Sequence, residues 1–358
     1  MTVPYLMSQA GAISGIAILA LAFGVSAALH LMVADMLLLE NCGLTILPVF
    51  RRFLFRGKLR RVWTGTFFAL LCVVLVANLA AYVAGGGEII ASLTSFGEPL
   101  SRVLFYLVSI VVPLCGLKAL GLSEKAGVAA MVAVVLALAA ISFLSGKQPI
   151  SILPQNGSSV LALYGGVMFC LSALFSVPQA VSGLERDRNR IRRAAFLGLG
   201  LNALLTLILS LSAIRASRTV TKVAIIGWAG SLGRPVRLLA SLFVLLAMLT
   251  SFWAIALALG EMAAAQLPRL SGAPGFIAVT LPSLLITFIG GAGFLSFISV
   301  TGGAVAVIVA LLLLPAYWNA RREGGCSSLL GPAGDSKLIT ALVGAGYLLM
   351  AAGSLISV

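Results

Sequence analysis

Two short segments of this chain share a pattern that places main-chain amides where a ligand could use them: Thr2-Val3-Pro4-Tyr5-Leu6-Met7-Ser8 and Ser176-Val177-Pro178-Gln179-Ala180-Val181-Ser182. In each, a hydroxyl residue precedes Val-Pro and a serine follows the proline by four positions. Proline suits the first turn of a helix, because the N–H it lacks would have no partner there. The second copy lies inside an apolar stretch, 158–184, long enough to cross a bilayer. The chain is therefore expected to unwind between Ser172 and Ser176 and to restart as a half-helix. Irregular backbone at that depth is tolerated only when buried in protein or lining a watery cavity. Amides at such a restart carry partial positive charge and suit a carboxylate. Paired interruptions in two halves of a membrane chain point to a carrier's binding site. The structural alternative is that Gly165 and Gly166 only permit close packing while Ser172 and Ser176 bond back to their own helix.

Other polar groups inside apolar stretches carry the same two readings. Thr250 and Ser251 are adjacent hydroxyls near the middle of a span, able to bond their own helix or to offer oxygens to Na⁺. Asn78 must find a partner in a low-dielectric setting, either another helix or a substrate cavity. His30, the only histidine, is followed by Asp35 and Glu40, and Glu261 closes a later span. Ionisable groups within spans are functional suspects. The five-residue spacing leaves His30 and Asp35 off a common i,i+4 face, so a direct relay between them is not expected, and Asp35 and Glu40 approach water at the end of their helix. The sequence carries no Walker A, HExxH, GxSxG, CxxCH or DDxxD pattern, which favours a carrier over an enzyme. Cys42, Cys72, Cys115, Cys170 and Cys326 are scattered, without metal-ligand spacing or a disulfide framework. No metal site and no cofactor is expected.

The elements that must position these groups are all helices. The chain is 61% hydrophobic and 9% charged, with no long polar gap, which places it among integral membrane proteins and not soluble domains. Apolar stretches predict spans near 12–40, 63–84, 102–120, 125–145, 158–184, 194–214, 236–263, 274–290, 293–317 and 337–357, ten complete spans after an apolar stub at residues 1–9. The net charge of +14 would suggest nucleic acid in a soluble protein. Here the basic residues gather in alternate loops, above all Arg51 to Arg61 and Arg186 to Arg193, so they read as cytoplasmic topology signals and contacts for anionic lipid. That arrangement predicts a multi-pass cell-membrane protein with its C-terminus outside. If residues 1–9 are the outer half of a span, its inner half belongs before Met1, so the chain as given either starts late or lacks half of its first span.

The order of several motifs is similar to that of the hydroxy/aromatic amino acid permeases of the amino acid–polyamine–organocation superfamily. Thr2 to Gly11 resembles the segment after the glycine-rich break of their span 1, and Tyr82-Val83-Ala84-Gly85-Gly86-Gly87-Glu88 the end of their span 3. Val177-Pro178 with the basic run Arg186 to Arg193 resembles span 6 and its loop. Leu249 to Phe252, continuing to Glu261, resembles span 8, and Leu314-Pro315-Ala316 before Arg321-Arg322 the end of span 10. The glycine-rich half of span 1 and the family's Asp-Pro after the half-helix are absent.

The resemblance implies an all-α, leucine-transporter-type inverted-repeat bundle: a first repeat over 1–145, a second over 146–320 and a final span over 321–358. It implies secondary transport of an amino acid coupled to H⁺ or Na⁺. Carried onto this chain, substrate would meet Thr2, Val3, Asn78, Ser172, Ala173, Leu174 and Phe175, and a cation would sit at Thr250 and Ser251. An aromatic or other neutral amino acid is the expected substrate. A membrane sensor or germination-receptor subunit on the same fold, or an inactive truncated carrier, would share all these features.

Overall fold

The computed structural model describes residues 2–39, 45–146, 148–153, 157–217, 220, 228, 232–289, 294–323 and 328–356, and the regular elements in them are helices. In chain order these are α1 (Val3–Ala10), α2 (Ala12–Leu39), α3 (Leu47–Phe53), α4 (Arg60–Leu93), α5 (Glu98–Leu114), α6 (Leu117–Ser145), α7 (Gly157–Cys170) and α8 (Val177–Gly183). They continue as α9 (Arg188–Ala216), α10 (Arg234–Gln266), α11 (Gly272–Ile286), α12 (Phe294–Ile308), α13 (Leu314–Glu323) and α14 (Lys337–Ser354). A π-helical turn, Val309–Leu313, joins α12 to α13 within one long helix.

Among the described residues, eight helices are long and apolar enough to span, counting α7 with α8 and the joined α12–α13 once each. The expected spans at 102–120 and 274–290 are the shorter helices α5, of 17 residues, and α11, of 15. Large apolar side chains such as Leu144 and Leu197, 87% and 74% exposed, cover the outer faces. That is how a helix surface in contact with lipid reads.

Two boundaries differ from the sequence reading, each for a local reason. The expected span 102–120 stops at Leu114, because Pro113 cannot continue the hydrogen-bond ladder and Gly116 adopts φ 83°, a left-handed conformation. Lys118, inside the expected span, therefore lies in the first turn of α6. The span 63–84 runs on through Gly85-Gly86-Gly87 to Leu93. Its glycines are packing positions, not a terminus: a Cβ on Gly85 would stand 2.5 Å from Met248 of α10, and one on Gly86 would enter the ring of Phe105 on α5.

The helices pack in two sets. In one, α2 packs against α1, α7, α8 and α9, and α1 packs against α7 and α9; in the other, α4 and α5 pack with α10 and α11. α6 bridges the sets by packing on both α9 and α10, and α14 lies against α7 and α12. The contact of α7 with α14 is unusually close, since a Cβ on Gly165 would lie 2.8 Å from the backbone of Gly353. Small residues let membrane helices approach in this way.

The end of the bundle with the basic loops is tied together by hydrogen bonds. Asp35, 4% exposed, accepts from the Ser328 hydroxyl at 2.6 Å and the Leu329 amide at 2.9 Å, with Arg188 at 3.4 Å. Arg186 donates to the carbonyls of Leu37 and Leu38, which close α2. Glu185 and Arg186 both hold positive φ, 55° and 60°, a conformation non-glycine residues adopt only when their surroundings impose it. Asp187 then caps α9 by accepting from the amides of Asn189 and Arg190. The Arg190 amide, ahead of the Asn189 amide, holds its carboxyl below the ordinary range. The basic loop thus pins helix ends in addition to any part it plays in topology. Asp35, expected near water, is instead enclosed by this network, and Glu40 lies outside the described residues.

Candidate substrate site at the helix break

The expected break is present. α7 ends at Cys170, a tight turn occupies Leu174–Ser176, and α8 restarts at Val177 with Pro178 in its first turn. The matching segment at the start of the chain behaves alike, with α1 running from Val3 with Pro4 in its first turn. The hydroxyls of Thr2 and Ser176 make no capping hydrogen bond, so the prolines, not the hydroxyls, explain where these short helices begin.

An interrupted helix leaves carbonyls and amides without intrahelical partners. Three side chains from neighbouring helices take them here. Asn202 of α9 donates to the Cys170 carbonyl at 2.8 Å. Ser26 of α2 donates to the Leu171 carbonyl at 2.5 Å. The Ala173 amide donates to His30 Nε2 at 3.0 Å, while His30 Nδ1 lies 2.6 Å from the Ser26 carbonyl. On the far side of the break, Gln179 of α8 donates to the Ala254 carbonyl of α10 at 2.8 Å and so joins the two helix sets.

Around this break the expected residues separate into groups. Cys170 and Ala173 are exposed although they sit midway along the span. Tyr82 of α4 neighbours Ser251 of α10 and lies near Cys170, so groups from both helix sets meet at the break. Asn78 precedes Tyr82 by one turn on α4; it is 5% exposed, and its Oδ1 has no hydrogen-bond partner. Ser172 turns the other way, toward Tyr347 of α14, whose hydroxyl neighbours Ser26 and Ser172 without closing a bond to either. Leu174 and Phe175 are buried, in the turn that packs on α10.

Val3 packs near Gly166 of α7, which sets Thr2 and the head of α1 beside the last turn before the break. Thr250 bonds back to the Ala247 carbonyl and directs its methyl at Gly127 of α6, so it and Ser251 point to different neighbours. Glu261 sits near the end of α10, away from the break.

Sequence reasoning missed Ser26, Asn202, Gln179 and Tyr82. A signal for the first existed: Ser26 and His30 lie four apart on one face of an otherwise apolar helix. Asn202 was likewise the lone amide in its span.

The geometry has counterparts among solved structures. Mhp1, a nucleobase-cation-symport-1 family transporter in a closed conformation with bromovinylhydantoin bound, is similar over 99% of this chain and 87% of its own, with 15% identity and a TM-score of 0.69. The fold is of the leucine-transporter type. The inward-facing conformation of Mhp1 is similar over the same shares, at 17% identity and a TM-score of 0.51. The chain is a multi-pass membrane protein. No family model matches the sequence, and no curated protein is significantly similar to it.

Proposed function

We propose that this chain is a secondary active transporter that moves a neutral amino acid, aromatic ones first, across the cell membrane by alternating access. The observation that carries the reading is the mid-span break at 171–176, held by side chains of other helices where groups of both helix sets meet. The arrangement gives α7 and α8 a joint about which one set can move against the other, with Gln179 to Ala254 as a contact that must part.

In this reading substrate lies against Cys170, Ala173, Tyr82 and Ser251. Asn78 supplies an amide whose unpaired acceptor would otherwise be costly to bury. Thr2 and Val3 close the site from α1. The order of motifs supports the hydroxy/aromatic amino acid permeases as relatives. The membrane arrangement is then ten spans after the half-span α1, with repeats over 1–145 and 146–320 and the C-terminus outside. The coupling ion is H⁺ or Na⁺. Mhp1 was solved with a hydantoin bound, so hydantoins and nucleobases belong beside amino acids among the test compounds.

The test is uptake into proteoliposomes of labelled phenylalanine, tyrosine, tryptophan and serine, and of a hydantoin and uracil, under imposed H⁺ or Na⁺ gradients. Accumulation of an amino acid above the equilibrium level is expected. Accumulation of the heterocycles alone would replace the substrate class. Binding without accumulation would move the protein to the sensor reading, and neither would overturn both.

A further inference from the structure

His30 is held by two main-chain groups whose roles are not interchangeable. The Ala173 amide can only donate, so Nε2 must present a lone pair, at 3.0 Å. The Ser26 carbonyl can only accept, so Nδ1 must carry the hydrogen, at 2.6 Å. The imidazole is therefore neutral and in one tautomer in this conformation. It is also the only histidine in the chain and is buried, 6% exposed, against the break between α7 and α8.

A proton from solution would occupy the Nε2 lone pair. No covalent bond breaks, but two donors would then face each other at 3.0 Å, and the Ala173 amide must leave. The surroundings give the new charge no ready partner. On its own helix, Asp35 is already engaged by Ser328, Leu329 and Arg188. From α7 the titratable groups are Cys170 and Tyr164, from α14 Tyr347 with Lys337 at its first residue, from α13 Tyr317 with Arg321, Arg322 and Glu323 at its far end, and from α1 Tyr5. α9 contributes the neutral Asn202 near the break, with its arginines toward its ends, and α8 has no titratable side chain.

We propose that His30 is a proton-binding site, and that its protonation undocks the Ala173 amide and with it the break between α7 and α8 from α2. The consequence for transport rests on the carrier reading above. An imidazolium without an anionic partner, beside a released amide, favours a substrate carboxylate at the break. Proton and substrate then bind with mutual preference, which is the linkage a symporter requires.

The titration itself can be read without transport. In full-length protein labelled with ¹⁵N-histidine and ¹⁵N-alanine in lipid nanodiscs, the single imidazole gives one pair of ring-nitrogen signals. It should show the Nδ1–H neutral tautomer at pH 8 and convert to imidazolium as the pH falls toward 5. Over the same interval, protection of the Ala173 amide from hydrogen exchange, corrected for intrinsic pH dependence, should drop at least about tenfold, the change that accompanies losing about 1.4 kcal/mol. In His30→Gln, whose amide oxygen can accept from Ala173 but does not titrate, that protection should not vary with pH. In proteoliposomes the same variant should lose accumulation driven by a H⁺ gradient. An imidazole that stays neutral to pH 5, or Ala173 protection that ignores its titration, overturns the proposal. Absent uptake by the unaltered protein with this titration intact would count against the carrier reading alone.

Discussion

The helical main chain is interrupted both at Gly11, between α1 and α2, and at 171–176, between α7 and α8, and the two interruptions are held in opposite ways. Gly11 has φ 79° and fits so closely under residues 152 and 153 that a Cβ there would lie 2.6 Å from the Ile152 carbonyl oxygen. The amide of Ala12 bonds the Ser151 carbonyl at 2.9 Å. Everything that defines this joint is backbone, so it has no group that can change state. The break at 171–176 is held by Asn202, Ser26 and His30, side chains on two other helices, one of them titratable. A joint locked by main chain serves as a fixed corner, whereas one held by side chains can be released by a proton or by movement of the helices that supply them.

The sharpest way to break this contrast is Gly11→Val. Left-handed strain of about 1–3 kcal/mol adds to a backbone clash of similar size. Folded yield should collapse, with a large fall in the melting temperature of what remains. A well-folded, thermostable variant would show that the corner yields. His30→Ala comes next. It leaves the Ala173 amide unpaired, the Ser26 carbonyl keeping its bond within α2, and should cost about 1–3 kcal/mol in denaturation, with His30→Gln recovering much of it. Equal losses in the two variants would mean that packing, not the hydrogen bond, is what His30 supplies.

Gln179→Leu should cost about 1 kcal/mol and, more tellingly, raise the share of molecules in which α8 has parted from α10. Spin labels on the two helices read this as a longer distance population, and an unchanged distribution would sever Gln179 from any gating role. Asn202→Leu removes one donor to the Cys170 carbonyl and should cost about 1 kcal/mol while speeding hydrogen exchange at 171–176.

The smallest effect is expected at Asp187→Ala, beyond the break. The carboxylate is held below its ordinary range by the Arg190 amide, so its capping contribution is present above the unfolded carboxylate's titration and disappears as acid protonates it. Melting temperatures of the two proteins should differ slightly near neutral pH and converge in strong acid. Divergence on acidification would reverse the sign of that argument.

Residue order made some of this architecture readable in advance. Pro4 and Pro178 mark where short helices start, since a residue without an N–H is at home only in a first turn. Runs of apolar residues located the helices, because backbone in lipid must satisfy itself internally. The glycine run at 85–87 misled, since glycine signals either a terminus or a close neighbour, and only Met248 and Phe105 arriving from other helices show that it is the second. Pro113 and Gly116 were present to mark the end of α5, yet the surrounding apolar residues placed it later.

What the residues determined alone was therefore one-dimensional: which stretches are helical, and where a helix cannot continue. These follow from properties a residue carries everywhere, its hydrophobicity and its missing or present N–H. Which groups repair the break was decided by the tertiary structure. Ser26 lies 145 positions from Leu171 and His30 143 from Ala173, so only the packing of α2 against α7 turns them into partners. Thr250 and Ser251 make the same point in reverse: neighbours in the chain, they project from their helix in different directions and serve different surroundings.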